Sequence, residues 1–375
     1  MKPFFSKLRG KPGFASFLAS LAAIGVGLIA GFILLIFFDA GNSLYGLGQI
    51  LFTGITATEK AAKVFYQAAP LIMTGLSVGF AFKTGLFNIG ATGQYTLGAF
   101  FALYSGIVLK FPWWAALIAA MIGGAFWGLW PGLFKALFNV NEVITSIMYN
   151  WISLFLVNLL VANIPPMLNN YYGGSNAERT ANLAAANPGA IIPKWGLDNL
   201  LGSTYMNISI FLAIIMALII YVIISRTTFG YELKACGFNR NASIYAGINA
   251  KRNIVLSMTI AGALAGFGGG LYYLSGTAQY TIEKVLQSMG FNGIPVALLA
   301  SSNPVGIIFS GLFISYIQVG GDAMQPEFVV EIIDIIVAVI IYLSAFALLF
   351  KGFITRRLNR KQEARLAAAN EEVTP

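Results

Sequence analysis

Residues Lys83 to Phe100 read KTGLFNIGATGQYTLGAF. The stretch is mostly apolar, yet Asn88, Thr92 and Gln94 sit at its centre, with Gly85, Gly90, Gly93 and Gly98 around them. A smooth apolar helix would cost less, because each glycine inside a helix is about 1 kcal/mol worse than alanine. Composition supplies the setting in which such a stretch makes sense. Of the 375 residues, 58% are hydrophobic, only 10% are charged, and there is no histidine. Soluble domains carry roughly 25% charged residues, and a soluble fold could not hide this much apolar surface. Several apolar runs reach the roughly 20 residues needed to cross a bilayer. The chain therefore reads as an all-α, polytopic membrane protein.

The expected spans are 16–38, 62–82, 88–109, 113–134, 143–163, 207–225, 253–273, 286–302, 304–320 and 332–350. These are about ten helices, with the third and eighth rich enough in glycine or proline to be broken or re-entrant. The basic N-terminus MKPFFSKLRGKPGF precedes an apolar run that is too long for a signal-peptide core, so the first span is read as retained. An even number of spans puts both termini on one side. If that side is the cytoplasm, 17 of the 23 Lys and Arg residues fall inside; the six outside are Lys60, Lys63, Lys110, Arg179, Lys194 and Lys284. Membrane insertion favours this bias. It also accounts for the net charge of +9 through contacts with anionic lipid rather than nucleic acid. The organisation expected is a cytoplasmic segment 1–15, a membrane body 16–350 and a basic cytoplasmic tail 351–375. The membrane body carries an external loop, 164–206, and a cytoplasmic loop, 226–252.

Several spans carry glycine at every fourth position: Gly124, Gly128 and Gly132; Gly262, Gly266 and Gly270; Gly75 and Gly79. That spacing puts glycines on one helical face, where helix backbones approach closely. The surface suits fixed packing or sliding during a transport cycle. Amides inside apolar segments (Asn88, Gln94, Asn150, Gln287, Asn292) need protein partners or a water-filled cavity. They read either as interhelical hydrogen bonds or as the lining of a passage for an uncharged, hydrogen-bonding solute. For the passage, the candidates are Asn88, Gln94, Asn150 and Asn292. Charges near the apolar core are scarce. Glu142 and Asp334 stand near helix starts with no evident cationic partner, which counts against a proton- or sodium-coupled carrier. The echo between GLFNI at 85–89 and GFNGI at 290–294 suggests two halves of opposite orientation, an inverted repeat with broken helices.

Machinery for chemistry is missing from the sequence. Without histidine there is no imidazole base or ligand, the single Cys236 permits no internal disulfide, and no GxxxxGK[ST] phosphate loop occurs. The expectation is a non-enzyme with no cofactor in this chain.

The cytoplasmic segment RTTFGYELKACGFNRNASIYAGINAKR fits a short amphipathic helix around 235–246, flanked by Gly230, Gly237 and Gly247. Its Ala235, Gly237, Asn239, Ala242, Gly247 and Ile248 resemble the coupling loop of ABC importer permeases in the branched-chain amino acid/ribose permease superfamily. Pro70, Leu71, Thr74, Gly75, Leu76 and the run from Gly85 to Gln94 resemble the same group, with Thr92 where its pattern often has Glu. NEVITSIMYNWISLFLVN at 141–158 and GFNGIPVALLASSNPVGI at 290–307 resemble the nucleoside (guanosine-type) and simple-sugar subgroup. The resemblance covers about residues 15–350. It implies a type II-like importer permease in the cell membrane that moves nucleosides, or alternatively simple sugars, into the cell. It further implies a cytoplasmic ABC ATPase that binds the ATP, a second homologous permease in a heterodimer, and an external substrate-binding lipoprotein. ATPase coupling would fall to Ala235, Gly237, Asn239, Arg240, Ala242 and Gly247. The external loop, with Tyr171, Tyr172 and Trp195, would dock the binding protein or anchor at the membrane interface. A transporter working without an ATPase, and a scaffold or channel subunit, are the competing readings.

Overall fold

A computed structural model describes residues 12–56 and 58–345. The expected N-terminal segment lies mostly outside these residues, and the tail 351–375 and the end of the last span lie wholly outside them. Among the described residues the helices of six residues or more are α1 (Pro12–Phe38), α2 (Ser43–Thr56), α3 (Thr58–Lys83), α4 (Ala91–Ile107), α5 (Trp113–Phe138) and α6 (Glu142–Asn163). They continue with α7 (Ser209–Arg226), α8 (Thr228–Phe238), α9 (Arg240–Tyr245), α10 (Ala250–Tyr273), α11 (Ser288–Leu299), α12 (Pro304–Asp322) and α13 (Val330–Ala345). No strand occurs among the described residues; Leu168–Thr180 and Arg179–Thr281 are isolated bridges.

Over the described residues, each expected span coincides with a helix. Six of these are long and apolar enough to cross a membrane: α3, α5, α6, α7, α10 and α12. The eighth span shortens to the 12 residues of α11. The sequence reading had no place for α2. At 14 residues it is too short to cross a bilayer alone, and Gly46, Gly48 and Gly54 dilute its apolar signal. The turn before it is held by Asp39, whose Oδ1 accepts from the Gly41 and Asn42 amides at 2.9 and 3.2 Å. The Asn42 side chain donates to the other carboxylate oxygen, and this bonding holds the Asp39 carboxyl below its ordinary pKa.

The chain divides into two compact units. One contains α1 and α13, where Gly31 faces the Ile340 side chain and Leu35, Ile336 and Ile340 are buried. The other, residues 50–323, holds the elements of functional interest. Its centre is α10. The two glycine lines of the sequence face each other there: a methyl group on Gly266 would lie 2.8 Å from Gly124 Cα, and one on Gly262 would lie 3.0 Å from Gly128 Cα. Glycine on both helices is what lets α5 and α10 touch backbone to backbone. In lipid, such van der Waals contact replaces the hydrophobic drive. On its other faces α10 packs against α3 near Pro70 and Met73 and against α4 near Tyr95 and Ala99.

Helices α3 and α10 run antiparallel, and the two polar segments cap opposite ends of the pair. Residues 164–208 cover one end, where Ile192 N donates to Leu274 O at 2.9 Å and the Tyr205 ring lies 5.6 Å from that of Tyr66. Helices α8 and α9 cover the other, where Thr84 and Ser257 hydroxyls meet at 2.7 Å and the Asn253 amide donates to Glu232 at 3.1 Å.

Candidate solute path and coupling face

The stretch 83–100 is a break between two helices. Helix α3 stops at Lys83; Leu86 N returns to Ala81 O at 3.1 Å, and Gly85 takes φ +72°, a conformation that favours glycine. Helix α4 restarts at Ala91, and its N-cap, Gly90, has no side chain to satisfy the first amides. The missing cap comes from another helix. Asn150 on α6 accepts from Gly93 N at 2.8 Å, while its own amide donates to Ile89 O at 3.0 Å. The Ser153 hydroxyl donates to Gly93 O at 2.8 Å. Within the turn, Asn88 donates to Gln94 Oε1 at 2.8 Å and Gln94 donates back to Asn88 Oδ1 at 3.1 Å. The second Asn88 proton goes to Ser77 Oγ on α3 at 3.0 Å.

Three of the four passage candidates therefore meet at the break. Asn88, Gln94 and Asn150 are all buried to 1% exposure or less, and their polar atoms point at each other and at the backbone. Here they act as the fastening of a broken helix. Asn292 stands apart from them on α11, half-buried. Its helix reaches the break elsewhere, because the Gly290 backbone packs onto Thr92. The two echoed sequences thus differ in form. GLFNI is the turn itself, whereas GFNGI lies inside α11.

Glu142, without an evident partner in the sequence, is paired: Lys135 Nζ lies 3.0 Å from its carboxylate across the α5–α6 turn. Asp334 is exposed. Among the described residues, no three His, Cys, Asp or Glu side chains gather as a metal site would require.

Sequence reasoning missed a run of tyrosines along α3, α4 and α10. Tyr205 meets Tyr66 at 5.6 Å, Tyr66 stacks on Tyr272 at 5.1 Å and 24°, Tyr272 meets Tyr273 edge-on at 5.0 Å, and Tyr273 faces Tyr95 at 6.4 Å. The run ends one residue from Gln94. No short motif marks it, because its members are brought together by tertiary packing.

The segment 226–252, expected to form one short helix around 235–246, forms two, α8 and α9. Asn239, extended at φ −156° and ψ 105°, ends α8 and caps α9 by accepting from Ala242 N at 3.0 Å. Asn, a strong cap former, explains the break. Gly237 presses on the end of α3: a methyl group there would collide with Lys83 O and lie 3.0 Å from Gly85 N. Ala235, Asn239 and Ala242 line a groove of about 500 Å³ between α8 and α9, together with Tyr231, Glu232 and Phe238. Arg240 opens α9, and its carbonyl accepts from the Ser243 hydroxyl at 2.7 Å. Gly247 takes φ +81° with open space around it, so its backbone and not its size selects glycine. Phe238 and Tyr245 are 90% and 93% exposed, far beyond what folding needs.

At the opposite end, Lys110 lies over the Tyr172 ring at 5.4 Å and donates to Ala186 O at 2.8 Å, which fixes part of the 164–206 loop. Trp195, 78% exposed, sits at φ 48° on its surface.

Residues 60–345 match the family described as branched-chain amino acid transport system / permease component. Among similar proteins, the nucleoside ABC transporter permease protein NupB of Lactococcus lactis is 34% identical over 336 residues, 88% of this chain and 90% of its own length. The guanosine ABC transporter permease protein NupP of Bacillus subtilis is 34% identical over 352 residues, 92% of this chain and 97% of its own. The glucose ABC transporter permease protein TsgB13 of Haloferax volcanii is 29% identical over 339 residues, 88% and 86% of the two chains. No solved structure matches the chain.

Proposed function

This chain belongs to the branched-chain amino acid transport system permease family, and on that premise we propose that it is the membrane-spanning subunit of an ABC importer for nucleosides. The observation that carries the coupling half of this reading is the contact between Gly237 and the Lys83–Gly85 turn. A cytoplasmic ATPase seated on α8 and α9 would push directly on the turn that holds Asn88. The turn is fastened to α4 through Gln94 and to α6 through Asn150. Closing the ATPase would therefore tilt α4 and α6 together rather than bend one of them. The exposed Phe238 and Tyr245 supply the apolar anchors that such a docking face needs.

The orientation follows from the same premise. The α8–α9 end is cytoplasmic, the 164–206 loop faces outward, and both termini lie in the cytoplasm, in keeping with the lysine and arginine bias. ATP binds to the partner subunit. A substrate-binding lipoprotein docks on the outer loop, and a second homologous permease completes the transmembrane pair.

The nucleoside assignment rests on NupB and NupP, and the tyrosine run is consistent with it, since a flat base stacks on aromatic rings. Similarity to TsgB13 favours a second reading, a simple sugar. Uptake of radiolabelled guanosine, uridine and glucose into cells with and without this gene separates the two. Gene-dependent accumulation of a nucleoside supports the first, of glucose alone the second, and of neither refutes both.

A further inference from the structure

Three buried hydroxyls at the break have no partner: those of Thr92 and Tyr95 on α4, and that of Ser146, which lies against Gly90 from α6. Thr92 and Tyr95 lie three residues apart on one face of α4, at 0% and 1% exposure. Neither the Thr92 Oγ1 nor the Tyr95 hydroxyl has a hydrogen-bond partner. A buried polar group left unpaired is costly, and native structures hold few of them. Beside them, Asn88, Gln94, Asn150 and Ser153 all find partners, so most polar side chains of the break are satisfied. The tyrosine run leads to this same point. It starts at the half-buried rings of Tyr205 and Tyr272 and ends at Tyr95. A short helix, α11, covers the Thr92 side, with the Gly290 backbone laid on Thr92.

We propose that Thr92 and Tyr95 form the occlusion site for the solute, their hydroxyls bonding the sugar hydroxyls while the Tyr95 and Tyr273 rings take the base. The inference rests on the nucleoside reading above and deepens it. In the conformation described here the site is closed by α11. It opens when the turn at 84–90 moves α4 away from Gly290. The solute class these groups suit is a neutral ribosyl heterocycle: two uncharged hydroxyls that can each donate and accept match a sugar diol, and the aromatic rings match a base.

The test uses the complete transporter, with this chain, its partner permease, ATPase and binding lipoprotein, and two probes at saturating concentration: guanosine and 2′,3′-dideoxyguanosine. Saturation of the lipoprotein moves its own preference out of the rate. Thr92→Val and Tyr95→Phe remove the hydroxyls and nearly preserve shape. Each variant is expected to lower the maximal guanosine uptake rate at least tenfold. The wild type should carry the dideoxy analogue at a similarly reduced rate, and the variants should not slow the analogue further. Thermal stability in detergent should stay the same or rise, because an unpaired buried hydroxyl has been removed. Equal losses on both probes, a fall in stability that tracks the loss of rate, or unchanged guanosine uptake would each overturn the site. A wild-type complex that carries glucose but no nucleoside would sink the nucleoside reading and this inference with it. A complex that carries guanosine normally in both variants would sink the inference alone.

Discussion

Asn150→Ala is the sharpest perturbation of the break. The side chain is 1% exposed and makes two hydrogen bonds to backbone groups of the break, Gly93 N at 2.8 Å and Ile89 O at 3.0 Å. Truncation leaves the buried Gly93 N–H and the part-buried Ile89 C=O without their partner. Each such loss costs about 1–3 kcal/mol, so the sum is about 2–4 kcal/mol once partial relaxation of the turn is allowed. Asn150→Asp separates the two bonds. The carboxylate keeps the cap on Gly93 N, where the positive end of α4 favours it by about 0.3–1 kcal/mol. It faces Ile89 O as acceptor against acceptor, and its buried charge must be desolvated, so it should also destabilise. Asn150→Ser, shorter but able to bond one group, should fall between wild type and alanine. The assay is unfolding of the purified chain in mixed micelles by SDS titration, with Ser153→Ala as a second site on the same backbone unit and the double variant to close the cycle. Coupling of about 0.5–3 kcal/mol between positions 150 and 153 is expected for groups sharing one turn. An alanine variant within 0.5 kcal/mol of wild type would refute the idea that α6 caps the broken helix.

Four further variants have expected outcomes. Gly266→Ala puts a methyl group 2.8 Å from Gly124 Cα, and only a separation of α5 from α10 relieves it; the same unfolding assay should show about 1–3 kcal/mol of destabilisation. Gly247→Asn should be tolerated, because asparagine accepts the left-handed backbone at φ +81° and open space surrounds the site. Gly247→Pro cannot adopt that φ and should leave ATP hydrolysis by the assembled transporter intact while abolishing uptake. Arg240→Glu, which reverses charge at the start of α9, should likewise uncouple hydrolysis from uptake; transport at the wild-type rate in either variant would contradict the role given to this face.

Much of the architecture was legible because lipid simplifies the code. A bilayer forces helices, so each apolar run in the sequence could be read as one, and over the described residues every expected span coincides with a helix. Glycines at 85, 90 and 93 marked the break, and the glycine lines marked close faces, although not that those of α5 and α10 face each other. Other features depended on distance in space. Lys135 and Glu142 are paired through the α5–α6 turn, which no periodicity announces. Helix α2 lacks the length that makes a span visible. The sequence showed polar residues at depth, readable as interhelical bonds or as a passage lining, but not their partners: Asn88 and Gln94 bond each other, and Asn150 bonds backbone of the break. Thr92 and Tyr95 look unremarkable in sequence. They stand out only when burial and hydrogen bonding are known together.

The account turns on an energy source outside this polypeptide. Proteoliposomes containing the chain with its partner permease, ATPase and binding lipoprotein should accumulate guanosine above the external concentration when ATP is supplied on the α8–α9 side. The same vesicles lacking only the ATPase should do no more than equilibrate it. Accumulation against a gradient without the ATPase would contradict the account outright.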